Sequence, residues 1–336
     1  MPSTKRKRPP PGAMSEGEET AQSVRPATPC DLTARQPARV QIGDVGDLCL
    51  KVGSNRCTID TTKDGPQHYH EYATIYVVNW KIFSSSAIWE ALLKEGFAES
   101  KQPELGSGQD WIAELPEDDP EAMLIILNII HNRYGGVPKG ERAISIHSLY
   151  RLTVLTDKYG LASLLQPWAQ TWTKGLKDEL PGNKKVTAAK PSLTLNCLER
   201  LLWIAWELGY EQLFKGVYGY LVPNTTVEEG HLIEKNFKTK LFSTGTLKPP
   251  AICEHIRADR ERIISKILGL FNTKINSLVF SKSQFCYYYK KDNYNCEVNK
   301  EREISSIFDP KNVPLPENFK THLEAQAKKC GMDQQS

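Results

Sequence analysis

ELPEDDPEAMLIILNIIHNRYGGVP, residues 114–138, sets four acidic side chains, Glu114, Glu117, Asp118 and Asp119, ahead of an apolar run that closes on His131. Acid and histidine in one short segment raise metal ligation, and helical geometry excludes it. Asp119 before Pro120 reads as an N-cap followed by proline at the first helical position, where the missing N–H would have had no partner anyway. Asp119 and His131 then stand at least ~16 Å apart along the helix axis. The run from Met123 to Ile130 is apolar nearly all the way round, with Met123, Leu127 and Ile130 on one stripe. A capped, buried helix ending near Gly135 is therefore predicted.

Outward from this helix the pattern alternates between strand and helix. DLCLKVG (47–53) and YATIYVV (72–78) read as strands, and DWIAEL (110–115) as a short third one. Between the second and third, Ser84 to Ser86 offer an N-cap, and Ile88/Leu92 with Trp89/Leu93/Phe97 give the following helix a broad apolar face. After the Asp119 helix, Leu149, Leu152, Leu155 and Tyr159 form one stripe that Gly160 ends. Ser163 and Gln166 then suggest a capping box for a helix that tolerates Pro167 in its first turn and buries Trp168, Trp172 and Leu176. The core expected from these stripes contains Trp89, Leu92, Leu127, Leu152, Trp168 and Trp172.

No window of the 336 residues approaches 18 uncharged apolar positions, and MPSTKRKRPPPG lacks the hydrophobic segment of a signal peptide. The protein is expected inside the cell and off the membrane. Eight cysteines without a C-x-x-C pair argue against a zinc ribbon or a thioredoxin-like site, so reduced thiols are expected. Charge is polarised along the chain. Residues 41–234 carry 18 Lys/Arg against 25 Asp/Glu, and residues 235–302 carry 14 against six. Residues 1–44, rich in Pro, Ser and Thr, are expected to be disordered because they offer too little apolar surface to offset their entropy. Within them Lys5, Arg6, Lys7 and Arg8 form a compact basic cluster suited to a nuclear import receptor, which favours nucleus over cytoplasm.

The order of these elements, with these words in it, resembles the BTB/POZ domain of the divergent fungal type. The carriers are DLCLKVG, VVNWKIFSSSAIWEALL, IAELPEDDPEAMLIILNIIHNRYGGVP and LYRLTVLTDKYGLASLLQPWAQTW, over about 130 residues. The resemblance implies an α+β fold: a small mixed sheet covered by helices over residues 45–180, followed by a mostly α-helical extension. It further implies a non-enzymatic protein–protein interaction module or scaffold, whose partners are other proteins or a second copy of itself. Two departures bear on the fold. The 20 residues SNRCTIDTTKDGPQHYHEYA stand where the compact domain makes a tight hairpin, and predict an irregular excursion. Residues 1–44 show no amphipathic periodicity, so the strand-and-helix exchange of many dimeric BTB proteins is not expected.

After a linker at 181–192, the helical C-terminal region is expected over 193–320 and a flexible tail over 321–336. LTLNCLERLLWIAWELG and YEQLFKGVYGYLVP read as paired helices ended by Gly209 and Pro223. In ICEHIRADRERIISKIL, Ile252, Ile256, Ile263 and Ile267 face inward and Arg257, Arg260, Arg262 and Lys266 face solvent. Three groupings bear on chemistry. His68 and His70 would point the same way on a strand but have no evident third ligand. Cys253 and His255 diverge on a helix, which leaves Cys286 and Cys296 as a lone pair. GSGQD lacks every phosphate-cradle and nucleophile-elbow framework. No catalytic residue, metal, cofactor or small-molecule substrate is expected. Two other functions stay open: a nuclear regulator touching nucleic acid through 235–302, where Tyr287, Tyr288, Tyr289 and Tyr294 flank Lys290 and Lys291, and a substrate adaptor of a cullin-type ubiquitin ligase.

Overall fold

The computed structural model describes residues 38–280 and 315–332, apart from 44–45, 55–56, 61–66, 71–72, 80–85, 105–106, 142, 177–179 and 181–192. Pro37–Ser336 form one compact α+β unit. Its sheet has four strands in the order β1 (Ala38–Gln41), β5 (Thr74–Val78), β2 (Leu48–Val52) and β6 (Ile112–Leu115). β2 runs antiparallel to β5 and parallel to β6, which aligns Leu50 with both Tyr76 and Ala113. Side chains alternate across the sheet. Leu48, Leu50, Val52, Tyr76, Val78, Ala113 and Leu115 are all buried in the core.

The apolar run of residues 123–130 becomes α2 (Pro120–Ile130), capped as its sequence requires: the Asp119 carboxylate accepts from Ala122 N at 2.8 Å. α1 (Ala87–Lys94) is capped by Ser86 and buries Trp89 and Leu93, and α3 (Ile146–Lys158) is capped by Ser145. Ser163 caps nothing. Residues 162–165 form a 3-10 turn, and α4 (Gln166–Thr173) starts behind Leu165 with no side-chain cap, because Ala162 and Leu165 are drawn into the core. Two further expectations are corrected. Ala38–Gln41 lies within the stretch read as disordered, yet pairs with β5 in parallel, and Ile42 behind it is buried; Arg133 holds this end by donating to the Gln41 and Ile42 carbonyls, both at 2.9 Å. The expected excursion instead contains an antiparallel hairpin, β3 (Cys57–Asp60) with β4 (Gln67–His70).

α5 (Leu195–Leu208) and α6 (Glu211–Asn224) form the expected pair, with Pro223 inside the last turn of α6. A three-stranded meander follows that no sequence pattern announced: β7 (Thr225–Glu228), β8 (His231–Glu234) and β9 (Thr239–Lys240). Its backbone is tied by buried glutamates. Glu234 accepts from Phe237 N at 2.7 Å, and Glu199 of α5 accepts from Phe242 N at 2.6 Å. α7 (Ile252–Phe280) then packs its first turns on α6 through Ile252 and Ile256. Residues 321–330 of the stretch expected as a flexible tail belong to α8 (Glu317–Cys330), which buries Phe319, Leu323, Ala327 and Cys330. The Phe319 ring sits edge-on to Trp206, Phe214 and Tyr218. With α3 lying along α5, the two halves that the sequence divides at 181–192 share one hydrophobic core.

α8 reaches α5 at a glycine. Gly209 has φ +72°, and a Cβ there would stand 2.0 Å from Ala327 N and 2.4 Å from Leu323 O. Gly209→Ala combines left-handed strain with a backbone clash, and is expected to lower stability by roughly 2–4 kcal/mol and to raise proteolysis of α8 before the rest of the chain. Two residues earlier, burial pushes the Glu207 carboxyl up to about 8, helped by the charge of Asp157 and opposed by Lys329. A carboxyl that ionises near pH 4.5 in the unfolded chain and near 8 in the folded one favours unfolding increasingly as pH rises between those values. Glu207→Gln should therefore leave the melting temperature unchanged at pH 4.5. By pH 8 it should stabilise the fold by about 4 kcal/mol at most.

Candidate interaction surface

The acidic turn ahead of α2 is a structural anchor. Asp118 is buried and accepts a hydrogen bond from the Tyr159 hydroxyl and another, at 2.5 Å, from Lys158 Nζ. Asp119 pairs with Arg151 of α3 at 2.9 Å while it caps α2. Burial and the neighbouring Asp118 charge push the Tyr159 hydroxyl well above its usual range, so it stays protonated as the donor. The same tyrosine stacks on Trp89 with ring centroids 4.5 Å apart, and its carbonyl accepts from Ser86 Oγ at 2.8 Å. One carboxylate thereby joins the start of α2 to the end of α3 and the start of α1. These groups hold helices together.

Trp89, Leu127, Leu152 and Trp172 are buried, whereas Leu92 and Trp168 are half-buried against the same core. Trp168 stays at the rim because it faces Tyr134, itself 46% exposed, at a ring distance of 5.7 Å. Lys5, Arg6, Lys7, Arg8, Cys286 and Cys296 lie outside the described residues, as do Tyr287, Tyr288, Tyr289, Lys290, Lys291 and Tyr294. His68 and His70 fall on β4. Among the described residues, no three His, Cys, Asp or Glu side chains converge as metal ligands. A cleft of about 220 Å³ lies between the start of α5 and the meander, lined by Thr194, Asn196, Glu199 and Thr239. The Glu199 carboxylate in it is already engaged by the Phe242 N–H.

The face of the four-stranded sheet turned away from the core is different. Arg39 reaches from β1 across Cys49, at 3.4 Å from its Sγ, to Asp110 at 2.9 Å, while Lys51 on β2 pairs with Glu114 on β6 at 2.9 Å. The Arg39 guanidinium holds the Asp110 carboxyl below the usual carboxylate range, and burial raises the Cys49 thiol. Between the two ion pairs Ile112 is 47% exposed. β6 is the last strand in the order of this sheet, and the outer edge of a sheet is where an extended segment can add. Sequence reading did not single out Arg39, because it fell within the stretch taken as disordered. The alternation of Val40 and Ile42 was the available signal, too short to outweigh the composition before it.

No family model, curated protein or solved structure matches the chain. The two kinds of polar contact described above should respond differently to mutation. Tyr159→Phe strips a donor from a buried carboxylate and should cost about 1–3 kcal/mol in chemical denaturation. Asp110→Asn, which breaks only an exposed pair, should stay within about 0.5 kcal/mol of the parent.

Proposed function

We propose that the chain is a non-enzymatic protein–protein interaction scaffold, built on a BTB/POZ-like core to which the C-terminal helices are fused. The observation that carries this reading is the outer strand β6, last in the sheet order, where exposed Ile112 lies between the Lys51–Glu114 and Arg39–Asp110 pairs. Such a surface suits an extended segment of another protein: main-chain hydrogen bonds to the edge supply affinity, and the charged ladder with one apolar position supplies register. The order of strands and capped helices from β2 to α4 supports the BTB/POZ part of the reading. The α2–α3 anchor supports the scaffold part, since Asp118 and Asp119 are engaged in joining helices.

The basic C-terminal stretch gives little support to nucleic-acid binding. Along α7, Arg260 donates to the Val222 carbonyl at 2.7 Å, Arg257 to the Gly230 carbonyl at 3.0 Å, and Arg262 to Asp259 at 2.7 Å. Guanidinium groups held by the protein's own acceptors are poorly placed to neutralise phosphates, which is what the salt-dependent affinity of nucleic-acid binders requires.

The test is comparative capture with the intact chain, its Ile112→Arg variant and a distant control, Val227→Arg, as baits in nuclear and cytoplasmic extracts. The expectation is a small set of proteins retained by parent and control and lost by Ile112→Arg. Recovery of the same proteins by all three baits would place the interaction elsewhere.

A further inference from the structure

α7 outruns the body it packs on. Its first three turns are anchored by Ile252, Ile256 and half-buried Ile263, by the Arg260 bond to α6, and by the Tyr218 hydroxyl, which donates to Asp259 at 2.6 Å. From Ile264 to Ile275 the helix runs on for roughly 17 Å, and four of its large apolar side chains lie open: Ile264 47%, Leu268 57%, Phe271 55% and Ile275 54% exposed. The same stretch contains Gly269, Asn272 and Thr273, which are weak helix formers. An isolated helix of this length is marginal in water even with good formers. Its helical state calls for a partner on the apolar stripe.

The spacing of the stripe says which partner fits. Ile264, Leu268, Phe271 and Ile275 follow steps of four, three and four residues, the two-per-heptad seam of a coiled coil. That sequence of steps reads the same in both directions. Laid antiparallel on itself, the stripe puts Ile264 opposite Ile275 and Leu268 opposite Phe271, with a two-fold axis between Leu268 and Phe271. Symmetry of this kind is what an isologous contact demands. The flanks agree. Ser265 meets Asn272 on one side of the seam, and on the other the Lys274 stem lies along Ile267, so no like charges face each other. Lys266 points away from the seam, and Glu261, one step before Ile264, marks its end.

We propose that the distal half of α7 is a self-association helix, which pairs antiparallel with the same segment of a second copy of this chain. Four half-exposed side chains present on the order of 400 Å² of apolar surface per copy, a patch of the size that marks interaction sites on monomers. Both copies with their flanking side chains bury a total near the low end of stable interfaces, about 1,200 Å². The dimer is thus reversible, dissociating in the micromolar range. It lies on a different element from the β6 strand of the proposed function.

Sedimentation velocity of the intact chain from about 1 to 100 µM, across the range of a micromolar dissociation constant, tests this. Dimer should grow with concentration. Leu268→Asp with Phe271→Asp should leave only monomer with an unchanged melting temperature, since neither residue supports the core. Gly269→Ala, where a Cβ meets open space, should tighten association severalfold by favouring the helix. Orientation is read by disulfide trapping: Leu268→Cys chains should cross-link to Phe271→Cys chains and not to their own kind. Monomer at every concentration, a dimer untouched by the double aspartate variant, or cross-links between identical positions would each overturn the proposal.

Discussion

Asp118 must find hydrogen-bond donors, because the apolar run behind it carries the acidic turn into the interior, and a buried carboxylate without partners would cost several kcal/mol. Tyr159 and Lys158 supply them from the far end of α3. Once that contact exists, the positions of three helices follow. α2 is fixed at its N-terminus by Asp119 and Arg151, α3 by the tyrosine, and α1 by Ser86 and by Trp89 stacked on the same ring. The sheet enters through Tyr76, whose hydroxyl donates to the Pro120 carbonyl at 2.8 Å. A single polar turn thus sets the geometry that apolar burial then stabilises.

The C-terminal half follows another rule: backbone meeting backbone at Gly209. Only a residue without Cβ lets α8 lie against the end of α5. That approach delivers Phe319 into the aromatic pocket formed by Trp206, Phe214 and Tyr218. It also buries Glu207 beside Gln326 and Cys330 of α8, where the Cys330 thiol is pushed up to about 12 by burial and the nearby carboxyl. A charge-bearing side chain at the contact makes this half of the fold more sensitive to alkaline pH than its apolar content alone implies.

Polarity of charge along the chain has a structural use that differs from its apparent one. The basic stretch after residue 234 looks like a phosphate-binding surface in one dimension. In three dimensions Arg260 and Arg257 cap carbonyls of α6 and of the β7–β8 turn, and Arg262 pairs with Asp259, because α7 crosses there. Among the described residues, exposed large apolar side chains include Ile112 on β6 and four in the far half of α7.

The sequence by itself determined the elements whose signals are local. Asp119-Pro120 followed by an apolar run can only start a helix, Gly209 after a periodic stretch can only end one, and β2, β5 and β6 are bounded by turns. The six core positions read from helical stripes all lie in or against the core, because a stripe already states which face is buried. What only the tertiary structure decided are the pairings between distant residues. β1 is a strand because β5 offers it an edge and Arg133 caps its end, although its own four residues sit in a disorder-like composition. The β7–β9 meander depends on glutamates contributed by α5 and β8, and no period along the chain records that. α8 has the lowest mean hydropathy of the helices that bury a face, yet it folds in because its buried side chains meet α5, α6, α4 and the 162–165 turn together. A single chain encodes faces and caps in its spacing, but the partner of each face is fixed only when all of them must be buried at once.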